Sequence, residues 1–366
     1  MGDKYDNIIG IFLIISLIGF GLLIGSYIIP LYLTDESTSE EQYIMDRENV
    51  DIINYNSDLT IDEAQNGVVT IFAKQENTED GIESQGSGFM YSNNHIMTND
   101  HVISGNSEFY IEYNNGEWAN ASLKGTDSDT DIAILEPDYI PSNTPVLPLQ
   151  TNNPSFGEPV VAIGSPGGLS NSVTDGVVSS TNVLMEIETA YGIPDTIQTD
   201  AALNPGNSGG PLISKSDVAV IGVNRATMGN NIGYAVSSRV AHEVGKDIIE
   251  KGSYSHSYTG LQVENINNND NPLVNTNQDI SGVVINDVVD EGPSQKSNLL
   301  SKEDGFENPD IITHINGTNI NTQEEFLSYL LFNTTPGDEI ELSVYRNNNT
   351  INTKIELSNR RDYIHN

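Results

Sequence analysis

The chain of 366 residues has no cysteine. Disulfide frameworks, thiol nucleophiles, thiolate zinc sites and iron–sulfur clusters are therefore excluded. Basic side chains are scarce: 15 Lys and Arg stand against 52 Asp and Glu, a formal net charge of −37. Affinity for phosphate backbones rests on Lys and Arg displacing counterions, so no nucleic-acid partner is expected. The six histidines (His95, His101, His242, His256, His314 and His365) form no HExxH or other close ligand pair. The spacing calls for no metal. Long apolar runs are also rare, and the one present, Ile8–Ile29, carries no charge. At about 1.5 Å per residue a helix over it crosses a hydrocarbon core of about 30 Å. It lacks a basic flank and an A-x-A cleavage signal, so an uncleaved transmembrane anchor over 8–29 is expected in preference to a signal peptide.

What is there reads as two folded regions behind a tether. Residues 30–64 are polar and acidic, the composition of a solvated linker. From Val68 short apolar runs alternate with Gly and Asn turns: V-V-T-I-F-A, G-S-G-F-M-Y-S, F-Y-I-E-Y, I-A-I-L, P-V-V-A-I-G, G-V-V-S-S and V-A-V-I-G-V. Strands without intervening helices predict a mainly β sandwich or barrel over 65–252. A helix over Ser237–Glu250 closes it, with Val240, Val244 and Ile248 on one face. Residues 256–359 predict a small α+β domain. Its strands are Gly260–Val263, Gly282–Val289, Asp310–Ile315, Glu339–Tyr345 and Thr350–Leu357. Its helices lie near Pro293–Leu299 and over Gln323–Phe332, and an Asn-rich loop runs from Asn265 to Gln278.

Three distant segments share one chemical logic. T-N-D-H-V-I places His101 after an apolar strand, D-S-D-T-D-I-A-I-L places Asp131 before one, and T-D-A-A-L-N-P-G-N-S-G-G-P-L places Ser208 in a Gly-rich turn. Serine is unreactive near neutral pH unless a base takes its proton, and imidazole is suited to that task. A buried carboxylate orients the imidazole and stabilises its charged form. Asp127 and Asp129 are alternatives to Asp131, which is preferred because it abuts I-A-I-L. Gly206, Gly209 and Gly210 permit a turn whose amides converge on a developing oxyanion. The hole is assigned to Gly206, Asn207 and Ser208, with the Gly206 and Ser208 amides as donors.

These segments, with F-G-E-P-V-V-A-I-G-S-P-G-G-L, S-V-T-D-G-V-V-S-S and V-I-G-V-N-R-A, closely resemble the HtrA/Deg proteases. Those are trypsin-like serine proteases with a C-terminal PDZ domain. The resemblance covers about residues 65–358. It implies a chymotrypsin-like fold of two six-stranded barrels with the active cleft between them. It also implies endopeptidase activity on unfolded or damaged proteins, no cofactor, and commonly a homotrimer. With the anchor, the chain is expected in the cell membrane as a single-pass protein with its domains extracytoplasmic. An inactive PDZ-containing scaffold is the alternative, against which the complete triad argues. An esterase reading lacks a G-x-S-x-G elbow.

By the same resemblance, Ala202, Asn224, Arg225 and Ala226 form the substrate pocket. Ala202 supplies no charge, so a small or medium aliphatic side chain before the scissile bond is expected. Arg225 stands where a small polar residue is expected; it either folds into solvent or biases the cleft toward acidic substrates. Tyr258, Thr259, Gly260 and Leu261 resemble a PDZ carboxylate-binding loop, where backbone amides receive a peptide's C-terminal carboxylate. The helix over Gln323–Phe332 supplies the opposite wall, through Phe326 and Tyr329 or Leu330.

Overall fold

The computed structural model describes residues 52–53, 59–75, 84–165, 172–187, 191–225, 232–266, 280–306 and 308–363. The apolar run at 8–29 and most of the linker lie outside them. Among the described residues no helix is long and apolar enough to cross a membrane.

Six strands form a first closed barrel: β1 (Val68–Lys74), β2 (Ser84–Ser92), β3 (His95–Thr98), β4 (Glu108–Tyr113), β5 (Trp118–Asp127) and β6 (Ile132–Pro137), in the order β1-β2-β3-β6-β5-β4. In β4 buried and partly buried residues alternate, so Phe109, Ile111 and Tyr113 point inward. They pack on Val69, Ile71, Met90, Ile96 and Leu135.

A second set comprises β7 (Pro159–Gly164), β8 (Ser172–Met185), β9 (Ile193–Thr199), β10 (Pro211–Ser214), β11 (Val220–Arg225) and β12 (Gly233–Ser237). Their order is β11-β10-β7-β8-β9-β12, and pairing of β11 with β12 closes the ring. The fold is therefore mainly β with two six-stranded barrels, as expected.

One core spans both barrels. Phe89, Met97, Ile132 and Ile134 of the first share a cluster with Val161, Ile163, Ile213, Val223 and Val236 of the second. The helix Ser238–Lys251 seals it with Val240, Val244 and Ile248, all fully buried. Each contributes about 1.5–3 kcal/mol by leaving water. Ser237 caps this helix, its hydroxyl accepting from Val240 N at 3.2 Å, and Gly252 ends it in the left-handed region.

The C-terminal region forms a sheet of β13 (Leu261–Asn265), β14 (Val283–Val288), β15 (Ile311–Ile315), β16 (Glu339–Arg346) and β17 (Asn349–Glu356), in that order. The helix Gln323–Asn333 packs on it through Phe326 and Leu330. Its Leu331 belongs instead to the core shared by the barrels, where Tyr254 Oη donates to the Leu331 carbonyl at 3.1 Å. The helix expected near Pro293–Leu299 is a single 3₁₀ segment, Pro293–Ser297, ended by Asn298 at φ 54°. Most of the Asn-rich loop lies outside the described residues.

Candidate active site

His101 sits in a single helical turn, Asp100–Ile103, directly after β3. Asp131 ends the turn joining β5 to β6, with φ 59°. That left-handed conformation is uncommon outside glycine, though Asp tolerates it better than most residues. The two meet closely. His101 Nδ1 lies 2.8 Å from Asp131 Oδ2 and 3.0 Å from Oδ1, and His101 N donates to Oδ1 at 2.9 Å. A carboxylate only accepts, so the ring proton belongs on Nδ1 and Nε2 is left as a base. The backbone is fixed as well: Asn99 Nδ2 and Asp100 N both donate to the Asp131 carbonyl, at 2.9 and 3.1 Å.

The three acids of this turn have separate duties. Asp127 accepts from Thr130 N and Oγ1 at 3.1 and 2.6 Å and faces His256 Nε2 at 2.9 Å. Burial alone would push its carboxyl up, but His256 and Thr130 outweigh that and hold it below the ordinary range. Asp129 pairs with Arg360 Nη1 at 3.1 Å. Only Asp131 of the three contacts His101 in the described residues, and it is the acid that adjacency to I-A-I-L favoured. Asp100, beside the histidine, accepts from Thr126 Oγ1; burial pushes its carboxyl up, with the charges of Asp131 and Asp127 adding to that.

Ser208 is buried in the turn between β9 and β10, and its neighbours explain the glycines. Gly209 has φ 83°, and a Cβ there would lie 2.1 Å from the Ser87 carbonyl oxygen and 2.2 Å from Thr98 Oγ1. The turn thus presses on the end of β3, which leads into His101. The amides of Asn207, Gly209 and Gly210 donate to Asn204 O, Asn224 O and Asn207 O, at 2.9, 2.9 and 3.0 Å. Asn207 N is therefore not an oxyanion donor. Because a trans peptide sets carbonyl and amide on opposite sides, turning Asn207 O toward Gly210 aims Ser208 N the other way.

Ser87 is a residue that sequence reasoning missed. Its hydroxyl donates to Gly206 O at 2.6 Å and accepts from Ser165 N at 2.8 Å, while its own amide donates to Ser208 O at 2.8 Å. The available signal was a serine between two glycines at the start of the run G-S-G-F-M-Y-S; in the structure it is fully buried.

Two of the expected pocket residues make contacts that the sequence did not show. Asn224 is fully buried, and its Nδ2 donates to Pro211 O at 2.9 Å, so its side chain braces the Ser208 turn from behind. Arg225 lines the open hollow at His101 together with Asp100, Ser128 and Glu186, and its Nε donates to Asp131 Oδ2 at 2.8 Å. Ala202 is exposed, its carbonyl accepting from Thr174 Oγ1 at 3.0 Å, and Ala226 lies outside the described residues.

Residues 86–223 match a trypsin-like peptidase domain and residues 257–357 a PDZ domain. The chain is 33% identical over 281 residues to a probable periplasmic serine endoprotease, DegP-like, from Halomonas elongata, covering 75% of this chain and 56% of that one. It is 30% identical over 311 residues to the serine protease Do-like HtrA of Bacillus subtilis, covering 79% and 67%. The solved structure of the HtrA-type protease AlgW with tripeptide superposes with a TM-score of 0.69 at 28% identity, over 82% of this chain and 96% of that one. The chain belongs to the HtrA/Deg family of serine proteases. It spans between about half and two thirds of the length of the first curated relatives it matches.

In this HtrA-family chain the PDZ loop meets the barrels. Gly260 has φ 69°, its carbonyl accepts from Val289 N at 2.9 Å, and the Thr259 carbonyl accepts from Ser294 Oγ at 2.5 Å. Both carbonyls are tied back into the fold, so the Gly260 and Leu261 amides face the opposite way. Leu261 N donates to Thr259 Oγ1 at 3.2 Å. The hollow there is lined by Tyr258, Thr259, Leu261, Phe326, Leu327 and Leu330, and on the barrel side by Tyr191, Pro194 and Asp129. Tyr191 stands edge-on to Tyr258 and beneath the Arg360 guanidinium, which lies 4.0 Å from its ring centre.

Proposed function

We propose that this chain is a membrane-anchored, ATP-independent serine endopeptidase that degrades unfolded or damaged proteins outside the cytoplasm. The observation that carries the reading is His101 Nδ1 at 2.8 Å from Asp131 Oδ2, beside the Gly-rich turn of Ser208. In this reading His101 Nε2 takes the Ser208 proton as Oγ attacks the scissile carbonyl. Asp131 holds the imidazole and balances its charge, and the Gly206 and Ser208 amides receive the oxyanion. Returning the proton to the leaving amine frees the new N-terminus, and water then repeats the cycle on the acyl-enzyme.

Residues 65–252 act as the protease, with Ala202 at the primary pocket, and 256–359 as a PDZ module that holds C-terminal peptides at Tyr258–Leu261. An AlgW structure with bound tripeptide supports the peptide role, and the periplasmic DegP-like name of the Halomonas relative supports the compartment. The apolar run at 8–29 supports the anchor. A homotrimer follows from the family resemblance alone.

The test is cleavage of unfolded casein by the full chain in detergent beside Ser208→Ala. Cleavage by the parent alone establishes Ser208 as nucleophile. Equal cleavage by both, or by neither, rejects the reading.

A further inference from the structure

Asp131 belongs to the first barrel and the Ser208 turn to the second, so something must hold them in register across the cleft. The dipeptide Asn224–Arg225, at the end of β11, touches both. Asn224 braces the nucleophile turn through its backbone, accepting from Gly209 N at 2.9 Å and donating to Gly210 O at 2.8 Å. Arg225 then reaches over the cleft and donates from Nε to Asp131 Oδ2 at 2.8 Å, a contact between residues 94 apart in sequence. The Asp131 side chain is 5% exposed and that of Arg225 25%.

A buried carboxylate needs donors or opposite charge to stay ionised. Three further acids lie nearby, Asp127 and Asp129 just ahead of it in sequence and Asp100 beside His101. Each of those has its own partner, in Thr126, in Thr130 with His256, and in Arg360. Asp131 shares Oδ2 between His101 Nδ1 and Arg225 Nε, and Oδ1 accepts from His101 N. The imidazole changes charge during turnover, whereas a guanidinium is always protonated. Arg225 therefore supplies a constant donor to the oxygen that orients the base.

We infer that Arg225 is a positioning residue: a strut across the cleft that fixes the Asp131 carboxylate against His101 and ties it to the Ser208 turn. This rests on the proposed proteolytic reading, and the experiment separates the two. Full-length parent, Arg225→Ala, Arg225→Lys, Asp131→Asn and the double variant Asp131→Asn/Arg225→Ala are compared. Their kcat and KM on unfolded casein, melting temperature, and rate of Ser208 labelling by a fluorophosphonate are measured.

Loss of a charge-assisted hydrogen bond predicts that Arg225→Ala lowers kcat and the labelling rate by about 10- to 100-fold, with KM within about twofold. Arg225→Lys keeps the charge but loses the planar Nε donor, and falls by about tenfold. In the Asp131→Asn background the Arg225→Ala change costs nothing further, because the group it acts through is already altered. Parental kcat in Arg225→Ala or in Arg225→Lys overturns the inference. So does a loss confined to KM, or losses that multiply in the double variant, since both place Arg225 on the substrate. If Arg225→Ala melts below the assay temperature, Arg225→Lys decides alone. A parent that neither cleaves casein nor labels at Ser208 rejects the proteolytic reading itself.

Discussion

His256, at the entry to the C-terminal domain, lays its Nε2 2.9 Å from Asp127 Oδ2, four residues ahead of the carboxylate that contacts His101. The turn that carries Asp131 is thus braced from the PDZ side. Arg360, from the far end of the same domain, adds a second brace on Asp129 at 3.1 Å. Residues from both ends of the PDZ module thus contact the segment that joins β5 to β6.

Replacing His256 by Gln should lower stability at neutral pH by about 2 kcal/mol, because Asp127 is left buried with fewer donors. The pH dependence follows from the sign of the Asp127 shift. Its folded carboxyl is held below the ordinary 3.8, so the stability it contributes is full above that value and lost as pH falls through the lowered one. Melting temperatures of parent and variant should converge in strong acid. A gap that persists there would mean His256 acts by packing on Tyr254, whose ring lies 4.7 Å away, and not through Asp127.

A second junction behaves in the opposite sense. Asp195 N of β9 donates to Glu324 Oε1 of the PDZ helix at 3.2 Å, and burial pushes both carboxyls up. A raised folded carboxyl favours the protonated state, so stability falls as pH climbs from the ordinary 4.5 of Glu324 through its raised value. Glu324→Gln keeps an acceptor for Asp195 N and Ser328 Oγ but has no proton to lose. It should melt higher than the parent at neutral pH, by about 1 kcal/mol of stability, with the difference closing in acid. A variant that melts lower at every pH would contradict this.

Much of this architecture was legible in the sequence because burial periodicity reports directly on strands and on the helix carrying Val240, Val244 and Ile248. The Gly-rich turn was legible because only glycine tolerates its backbone and its close contacts. Strand β9, I-P-D-T-I-Q-T, was not: Pro194 and Asp195 interrupt the alternation, and Asp195 takes φ 54°. Among the neighbouring Asp127, Asp129 and Asp131, adjacency to I-A-I-L singled out Asp131, and in the structure that carboxylate contacts His101 from a left-handed backbone. The Arg225 contact joins residues brought together only by closure of both barrels, and sequence position carries no trace of it.

Gly209→Ala tests the packing of the nucleophile turn. The substitution forces a side chain into φ 83° and against Ser87 O. The combined strain and overlap should cost about 3 kcal/mol or more and abolish cleavage. Calorimetry and casein hydrolysis check it; a variant with parental melting and activity would show that the turn relaxes freely.

Ser87→Ala separates catalytic positioning from folding. The variant keeps the two backbone bonds, Ser87 N to Ser208 O and Thr98 Oγ1 to Ser87 O at 2.7 Å, so the turn stays attached to β2. It loses the hydroxyl that fixes the Gly206 carbonyl and satisfies Ser165 N. One buried and one partly buried group losing a partner should cost about 2 kcal/mol of stability, short of unfolding a domain of this size. The Gly206–Asn207 peptide, which lies between the proposed donor amides of Gly206 and Ser208, then keeps its tie from Asn207 N to Asn204 O but loses the one at Gly206 O, and its rotation shifts those flanking amides; full loss of one such donor typically costs 100- to 1,000-fold in kcat. Partial rotation predicts about a tenfold fall in kcat with KM nearly unchanged, since ground-state binding does not use the hole. Parental kcat would show that the backbone bonds alone hold Gly206, and a rise in KM without change in kcat would place Ser87 in substrate binding.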